Sequence, residues 1–164
     1  MFIRKISEGD AGKFLDMLKR LDAETKYMMF EPKERKTNED EMKKKIKETL
    51  DSDSLILVVE DNNEIIGYLS VERGFANRIK HSGYIVIGIL NSYRGKGIGT
   101  KLFEHLEKWA TENNITRLEL TVMTNNESGI RLYEKMGFKK EGIKERSLKV
   151  DGEYIDEYYM AKLL

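Results

Sequence analysis

The residues able to do chemistry begin on an apolar strand. Ile85-Val86-Ile87-Gly88-Ile89-Leu90 leads through Asn91-Ser92-Tyr93 into Arg94-Gly95-Lys96-Gly97-Ile98-Gly99-Thr100, where helical periodicity starts. Glycines at the alternate positions 95, 97 and 99 permit close approach to the backbone. The free amides of a helix start attract an anion, so this geometry asks for a phosphate. Arg94, Lys96 and Lys101 add positive charge at the same end, which suits a pyrophosphate better than a neutral ligand. Two familiar phosphate loops fail. No Gly stands at P-loop spacing before a Gly-Lys-Ser/Thr triplet, and the third glycine comes one residue early for G-x-G-x-x-G. Taken alone, the segment is also compatible with a strand-to-helix turn that binds nothing.

A second motif lies downstream. Asn126-x-x-Gly129-Ile130-x-Leu132-Tyr133-x-Lys135-x-Gly137-Phe138 sets an Asn ahead of a short helix that ends in Tyr, Gly and Phe. Together with Arg94-x-x-Gly97-x-Gly99 after an apolar strand, in this order and with a helix and a strand between them, it resembles the two signatures of the GCN5-related N-acetyltransferase (GNAT) superfamily. The two motifs cover about a third of the chain, while Glu8 to Arg78 is generic. The resemblance is to the small bacterial-type acetyltransferases. It implies an α+β (mixed α/β) acyl-CoA N-acyltransferase fold, with acetyl-CoA as cosubstrate and no metal. In that family pattern the backbone of Ile87, Gly88 and Ile89 pairs with the pantetheine arm. The amides from Arg94 through Gly95, Lys96, Gly97, Ile98, Gly99 and Thr100 wrap the pyrophosphate. Asn126 touches the arm, Tyr133 lies near the sulfur, and Lys135 approaches the polar end. Two splayed strands, Gly83 to Leu90 and Leu118 to Val122, form the slot.

The chemistry follows from the reactants. An amine attacks a thioester only when neutral, and an alkylammonium has a pKa of roughly 10, so the site needs a base or must desolvate the amine. The oxyanion needs a donor, for which the N–H near Ile89 is the candidate if that strand is bulged as in the family. The leaving thiolate needs a proton, and the Tyr133 phenol can supply it; the competing reading of Tyr133 is an aromatic core residue. No carboxylate stands on Ile85 to Leu90, so the candidate bases are Glu72, at the end of its strand, and Glu24, at the end of the first helix. Both are also readable as solvated surface carboxylates. The chain has no cysteine, which excludes an enzyme thioester and leaves direct transfer in a ternary complex. His81 reads as a loop histidine, and Trp109 as core.

The resemblance also implies that the acceptor is bound by the first helical region and the loop between the last two strands. Here those regions offer Glu24, Tyr27, Met28, Met29, Phe30 and Glu31 on one side and Tyr154, Asp156, Glu157 and Tyr158 on the other. Tyr27, Phe30 and Tyr154 are the candidate acceptor contacts, since aromatics with carboxylates suit a cationic amine; the same cluster reads equally well as a partly buried hydrophobic hinge. The reading is an N-acetyltransferase acting on a primary amine of a small molecule or protein. A different class, a catalytically silent CoA-binding sensor or interaction module, is the alternative.

The elements that must position these residues are legible. Phe2 to Ile6 reads as a strand, and Asp10 as the N-cap of a helix carrying Phe14, Leu15, Leu18 and Leu21 that frays near Tyr27. Asn38 caps a second helix with Met42, Ile46, Thr49 and Leu50 at helical spacing. Leu55 to Val59 and Glu64 to Arg73 form a hairpin about Asp61-Asn62-Asn63. After the two motif segments and their helices, Asp151-Gly152 joins the last two strands as a type I′ turn. The order is β, α, α, β, β, β, α, β, α, β, β around one central, mostly antiparallel mixed sheet, expected to form one domain over residues 1–164.

Composition narrows the partners. The chain carries 29 Lys+Arg against 29 Asp+Glu, a formal charge of zero, which argues against a nucleic-acid footprint. The longest wholly apolar run, Leu55 to Val59, is far short of a membrane span, and Met1-Phe2-Ile3-Arg4-Lys5 lacks a signal-peptide h-region. A soluble cytoplasmic protein is expected. Oligomeric state is left open, a homodimer included.

Overall fold

The computed structural model describes residues 1–164. Seven strands, β1 (Phe2–Lys5), β2 (Leu55–Asp61), β3 (Glu64–Arg73), β4 (Ser82–Ile89), β5 (Arg117–Met123), β6 (Lys139–Val150) and β7 (Glu153–Leu163), join in one sheet of order β1-β2-β3-β4-β5-β7-β6. Every pairing is antiparallel except β4 with β5. Four helices, α1 (Ala11–Glu24), α2 (Glu39–Asp51), α3 (Ile98–Glu112) and α4 (Glu127–Lys135), fall in the expected order. Neither α1 nor any other helix is long and apolar enough to cross a membrane.

α1 buries Phe14, Leu15, Leu18 and Leu21 at i, i+3, i+4 spacing, and Phe14 meets Tyr68 of β3 edge-on at 5.3 Å. The other face of the sheet carries α3 and α4. Phe103 of α3 lies within 5.9 Å of the Tyr133 ring and 5.5 Å of Phe138. α2 starts as the sequence suggests: Asn38 accepts from the Glu41 N–H at 2.9 Å. Its buried stripe is narrower than expected, since Met42 and Ile46 are buried while Leu50 is exposed.

Two local expectations are corrected. Asp10 does not cap α1 with its side chain. It turns back to the Ser7 N–H at 2.8 Å and pairs with both Arg4 terminal nitrogens at 2.7 and 2.8 Å, fixing the entry to the helix. The first helix also stops at Glu24 rather than near Tyr27, because Asn91 captures that end. The Asn91 N–H donates to the Glu24 carboxylate at 2.9 Å and its Nδ2 to the Glu24 carbonyl at 3.1 Å. Residues 25–38 then run without regular helix to the start of α2 at Glu39.

Candidate functional site

The site begins where β4 and β5 part. Their parallel pairing runs only from Ser82↔Arg117 to Tyr84↔Glu119. Beyond it β4 stays bound to β3 as far as Gly67↔Ile89, and β5 stays bound to β7 as far as Met123↔Glu157. The expected bulge near Ile89 is absent, since the β3–β4 register is unbroken from Arg73↔Gly83 to Gly67↔Ile89. None is needed. Leu90 N–H donates to the Ile66 carbonyl at 3.0 Å, so even-numbered β4 residues bond to β3. Antiparallel alternation then turns the N–H and C=O groups of Ile87 and Ile89, beyond the last β4–β5 pair at Tyr84↔Glu119, toward the gap left by β5. Both groups of Ile87 and the N–H of Ile89 are open to an extended ligand, while the Ile89 carbonyl accepts from Arg94.

The gap leads to the glycine loop. Gly95 (φ 72°) and Gly97 (φ 76°) are left-handed, and Gly97 is the N-cap of α3. The alternation makes a concave run of amides: from Gly95 to Thr100 none donates to a backbone carbonyl, and the first bond of the helix is Lys101 N–H to Gly97 C=O at 3.2 Å. Gly99 serves a different purpose from the one read from sequence. A Cβ there would stand 2.7 Å from Leu132 Cδ2, so this glycine lets α3 and α4 approach while its amide stays in the run. Arg94 bridges the loop and the strand, its Nε donating to the Ile89 carbonyl at 3.2 Å.

A cleft of about 980 Å³ joins these features, lined by Ile87, Gly88, Ile89, Arg94, Gly95, Gly97, Ile98, Gly99, Thr100, Asn126 and Tyr133 among others. Asn126 Oδ1 accepts from the Gly129 N–H at 3.1 Å, capping α4 and leaving Nδ2 for the cleft. Tyr133 is 8% exposed, its ring wedged against Phe103 and Phe138. Burial pushes its phenol up to about 12, with the neighbouring Tyr84 adding to the rise and Arg94 opposing it. Through the neutral range the Tyr133 phenol therefore stays protonated. Lys96 and Lys135 do not line the cleft. Lys96 instead lies over the Tyr93 ring at 5.0 Å, and Lys135 reaches Thr100 Oγ1 at 3.3 Å.

The wall opposite is segment 25–35, which contributes Tyr27, Met28, Met29, Phe30 and Arg35. It is pinned by Asp22, a residue 1% exposed, which accepts from Arg35 Nε at 2.8 Å and Nη2 at 3.1 Å. The Arg35 guanidinium also lies 4.5 Å from the Phe30 ring centroid. Tyr27 OH reaches the Asn125 carbonyl at 3.4 Å. A side recess of about 290 Å³ near Lys26 and Asn91 contains Glu24, whose carboxylate is already held by Asn91.

The remaining candidates lie elsewhere. Glu72 is exposed on β3 and does not line the cleft. Tyr154 is 57% exposed and also outside it, with Arg146 and Lys149 against its ring at 4.9 and 5.4 Å. It sits beyond the end of β5, which stops opposite Glu157. In its place β7 offers Glu157 and Tyr159, and β5 offers Thr121 and Met123, on the face beneath segment 25–35. Tyr84 OH and Thr121 Oγ1 meet across the fork at 2.8 Å.

Comparison with known proteins defines the class. The model of the acetyltransferase (GNAT) family matches residues 15–138, and the chain belongs to that family. A GNAT acetyltransferase structure from Streptococcus pneumoniae superposes with a TM-score of 0.95 at 31% identity, covering 99% of both chains. Among curated relatives, the L-amino acid N-acetyltransferase AaaT of Escherichia coli is 30% identical over 62% of this chain and 64% of its own length. The N-alpha-acetyltransferase of Saccharolobus solfataricus is 35% identical over 63% and 65%. The match thus spans just under two thirds of the length of these two relatives. The same fold occurs in a putative acetyltransferase from Salmonella typhimurium described with its cofactor acetyl-CoA, at a TM-score of 0.88 and 19% identity over 100% of this chain and 94% of that one.

Proposed function

We propose that residues 1–164 act as one domain that transfers an acetyl group from acetyl-CoA directly to a primary amine. The observation that carries this reading is the fork between β4 and β5, where the open backbone groups of Ile87 and the Ile89 N–H lead into the free amides of Gly95 to Thr100. Ladder groups on one side and an anion cradle on the other match a ligand with an amide-bearing arm and a pyrophosphate. The cleft volume of about 980 Å³ accommodates such a molecule.

When bound, acetyl-CoA supplies the activated acetyl group. The chain's own residues do the rest. Ile87 and Ile89 hold the arm in strand-like register, and the Ile89 N–H faces the gap as a donor for the acetyl oxygen. The amides from Gly95 to Thr100, with Arg94, hold the phosphates. Asn126 offers Nδ2 to the arm. Tyr133, protonated and held by Phe103 and Phe138, donates a proton to the departing sulfur. Segment 25–35 and the face of β5 and β7 receive the acceptor and exclude water. The names of the two curated relatives, one for amino acids and one for N-alpha groups, weigh toward an α-amino acceptor.

Thiol release from acetyl-CoA, measured against a panel of amino acid amides, short peptides, polyamines and aminoglycosides, tests the reading. Amine-dependent release with a matching N-acetyl product supports it. CoA binding without release for any amine supports a silent CoA-binding module instead.

A further inference from the structure

The cleft contains one carboxylate among its lining side chains, Glu157. It stands on β7 directly opposite Met123 of β5, two residues before Tyr159, which faces Thr121. Directly opposed residues share a side of the sheet, so Glu157, Tyr159, Thr121 and Met123 lie together beneath segment 25–35.

The neighbouring strand is distorted at this point. β6 is in register with β7 at Lys144↔Glu157 and again at Leu148↔Ile155, so residues 145–147 oppose Asp156 alone. The bulge holds Arg146 at φ 47°, a left-handed conformation that costs a non-glycine residue about 1 kcal/mol. Its N–H is satisfied by the Asp156 carboxylate at 2.8 Å. The distortion brings Ser147 inward, and its hydroxyl donates to Glu157 Oε1. Glu157 takes no part in any of the ion pairs of the chain, although Lys144 is its cross-strand neighbour. A half-buried carboxylate is thus oriented by a hydroxyl and faces a cleft that presents Met28, Met123 and Leu148 together with the cations Lys144, Arg35 and Arg94, none of which forms an ion pair with it. Such a group is complementary to an ammonium brought by a ligand.

We infer that Glu157, oriented by Ser147, receives the acceptor's ammonium and removes its proton. The inference rests on the acetyltransferase reading. In this step one N–H bond of the ammonium breaks, its electron pair stays on nitrogen, and the proton forms an O–H bond on the Glu157 carboxyl before passing to solvent. The acceptor class is a primary amine on an apolar or aromatic body, matched to the methionines and Tyr159 around the carboxylate. This role replaces Glu24 and Glu72 as the base.

The test separates binding from turnover. With CoA present in place of acetyl-CoA, calorimetry measures binding of phenethylamine, L-methioninamide and the uncharged shape mimic 2-phenylethanol to wild type, Glu157→Gln and Ser147→Ala. Wild type should bind the amines at least tenfold more tightly than the alcohol, and Glu157→Gln should lose that preference while binding CoA unchanged. In turnover, Glu157→Gln should lower kcat/KM for amines about 100-fold or more, and Ser147→Ala about tenfold. Equal amine preference or equal kcat/KM in wild type and Glu157→Gln overturns the role of Glu157 alone. Lack of CoA binding by wild type would instead overturn the acetyltransferase reading beneath it. CoA binding without amine binding in wild type overturns this proposal.

Discussion

Removing the carboxylate of Asp22 should both destabilise the protein and loosen one wall of the cleft. Asp22 is 1% exposed on α1, and both of its oxygens accept from Arg35, at 2.8 and 3.1 Å. Arg35 in turn lies over Phe30 and holds the segment that faces β5 and β7. Asp22→Ala leaves a guanidinium in a mostly dry setting without its partner, a change worth about 3–5 kcal/mol when one member of a buried pair is lost. For a chain of this size that corresponds to a fall in Tm of about 6–20 °C. The double variant Asp22→Leu/Arg35→Met removes both charges and should recover most of the loss, because no unpaired charge stays behind. Urea denaturation of the three proteins measures the energies. Acceptor KM should rise in Asp22→Ala, while acetyl-CoA affinity should hold, since β4, α3 and α4 make its proposed site. A loss below about 1 kcal/mol, or a double variant as unstable as the single one, would refute the argument.

Three further outcomes are expected. Tyr133→Phe keeps the ring packed on Phe103 and Phe138, so stability should change by less than about 1 kcal/mol while kcat falls about 100-fold or more; an unchanged kcat discards the donor role. Gly97→Val forces a branched side chain to φ 76° and places it at the amide run, so acetyl-CoA binding should weaken sharply in a variant that still folds by circular dichroism. Arg4 holds the Asp10 carboxyl down at about 2, against an ordinary 3.8. Its stabilisation is therefore complete above about pH 4 and lost as pH falls through 2, so the stability gap between wild type and Asp10→Asn should close over that window.

The parts of the site built from contiguous sequence were readable in advance. The passage from strand to glycine loop to helix at Ile85 to Thr100 declares itself by a change of hydrophobic period, and Asn126 by its place before α4. The order of strands and helices follows from the same local signals, down to Asp151 and Gly152, both at positive φ in the last hairpin. What depends on register across the sheet was not readable. Alternation along β7 gives the parity of Tyr154, Glu157 and Tyr159, but only the end of β5 at Met123 decides that Tyr154 falls outside the cleft and Glu157 inside. The Ser147 contact arises from the bulge in β6, where the sequence continues with no glycine or proline to mark it. The Asp22–Arg35 pair joins a helix to a loop with no local signature for either partner. Lys96 belongs to the loop by sequence, yet its side chain settles on Tyr93 rather than toward the amides.

We propose the fork of β4 and β5, with the loop after it, as the site of acetyl-CoA. Thermal unfolding followed during titration with acetyl-CoA, CoA, ATP and NAD tests it most directly. Saturation at about 100 times Kd should stabilise the native state by about 2.7 kcal/mol, equivalent to a rise of about 5–11 °C. That rise is expected for acetyl-CoA and CoA, and none of comparable size for NAD or ATP. No response to either CoA species, or an equal response to all four, would contradict it.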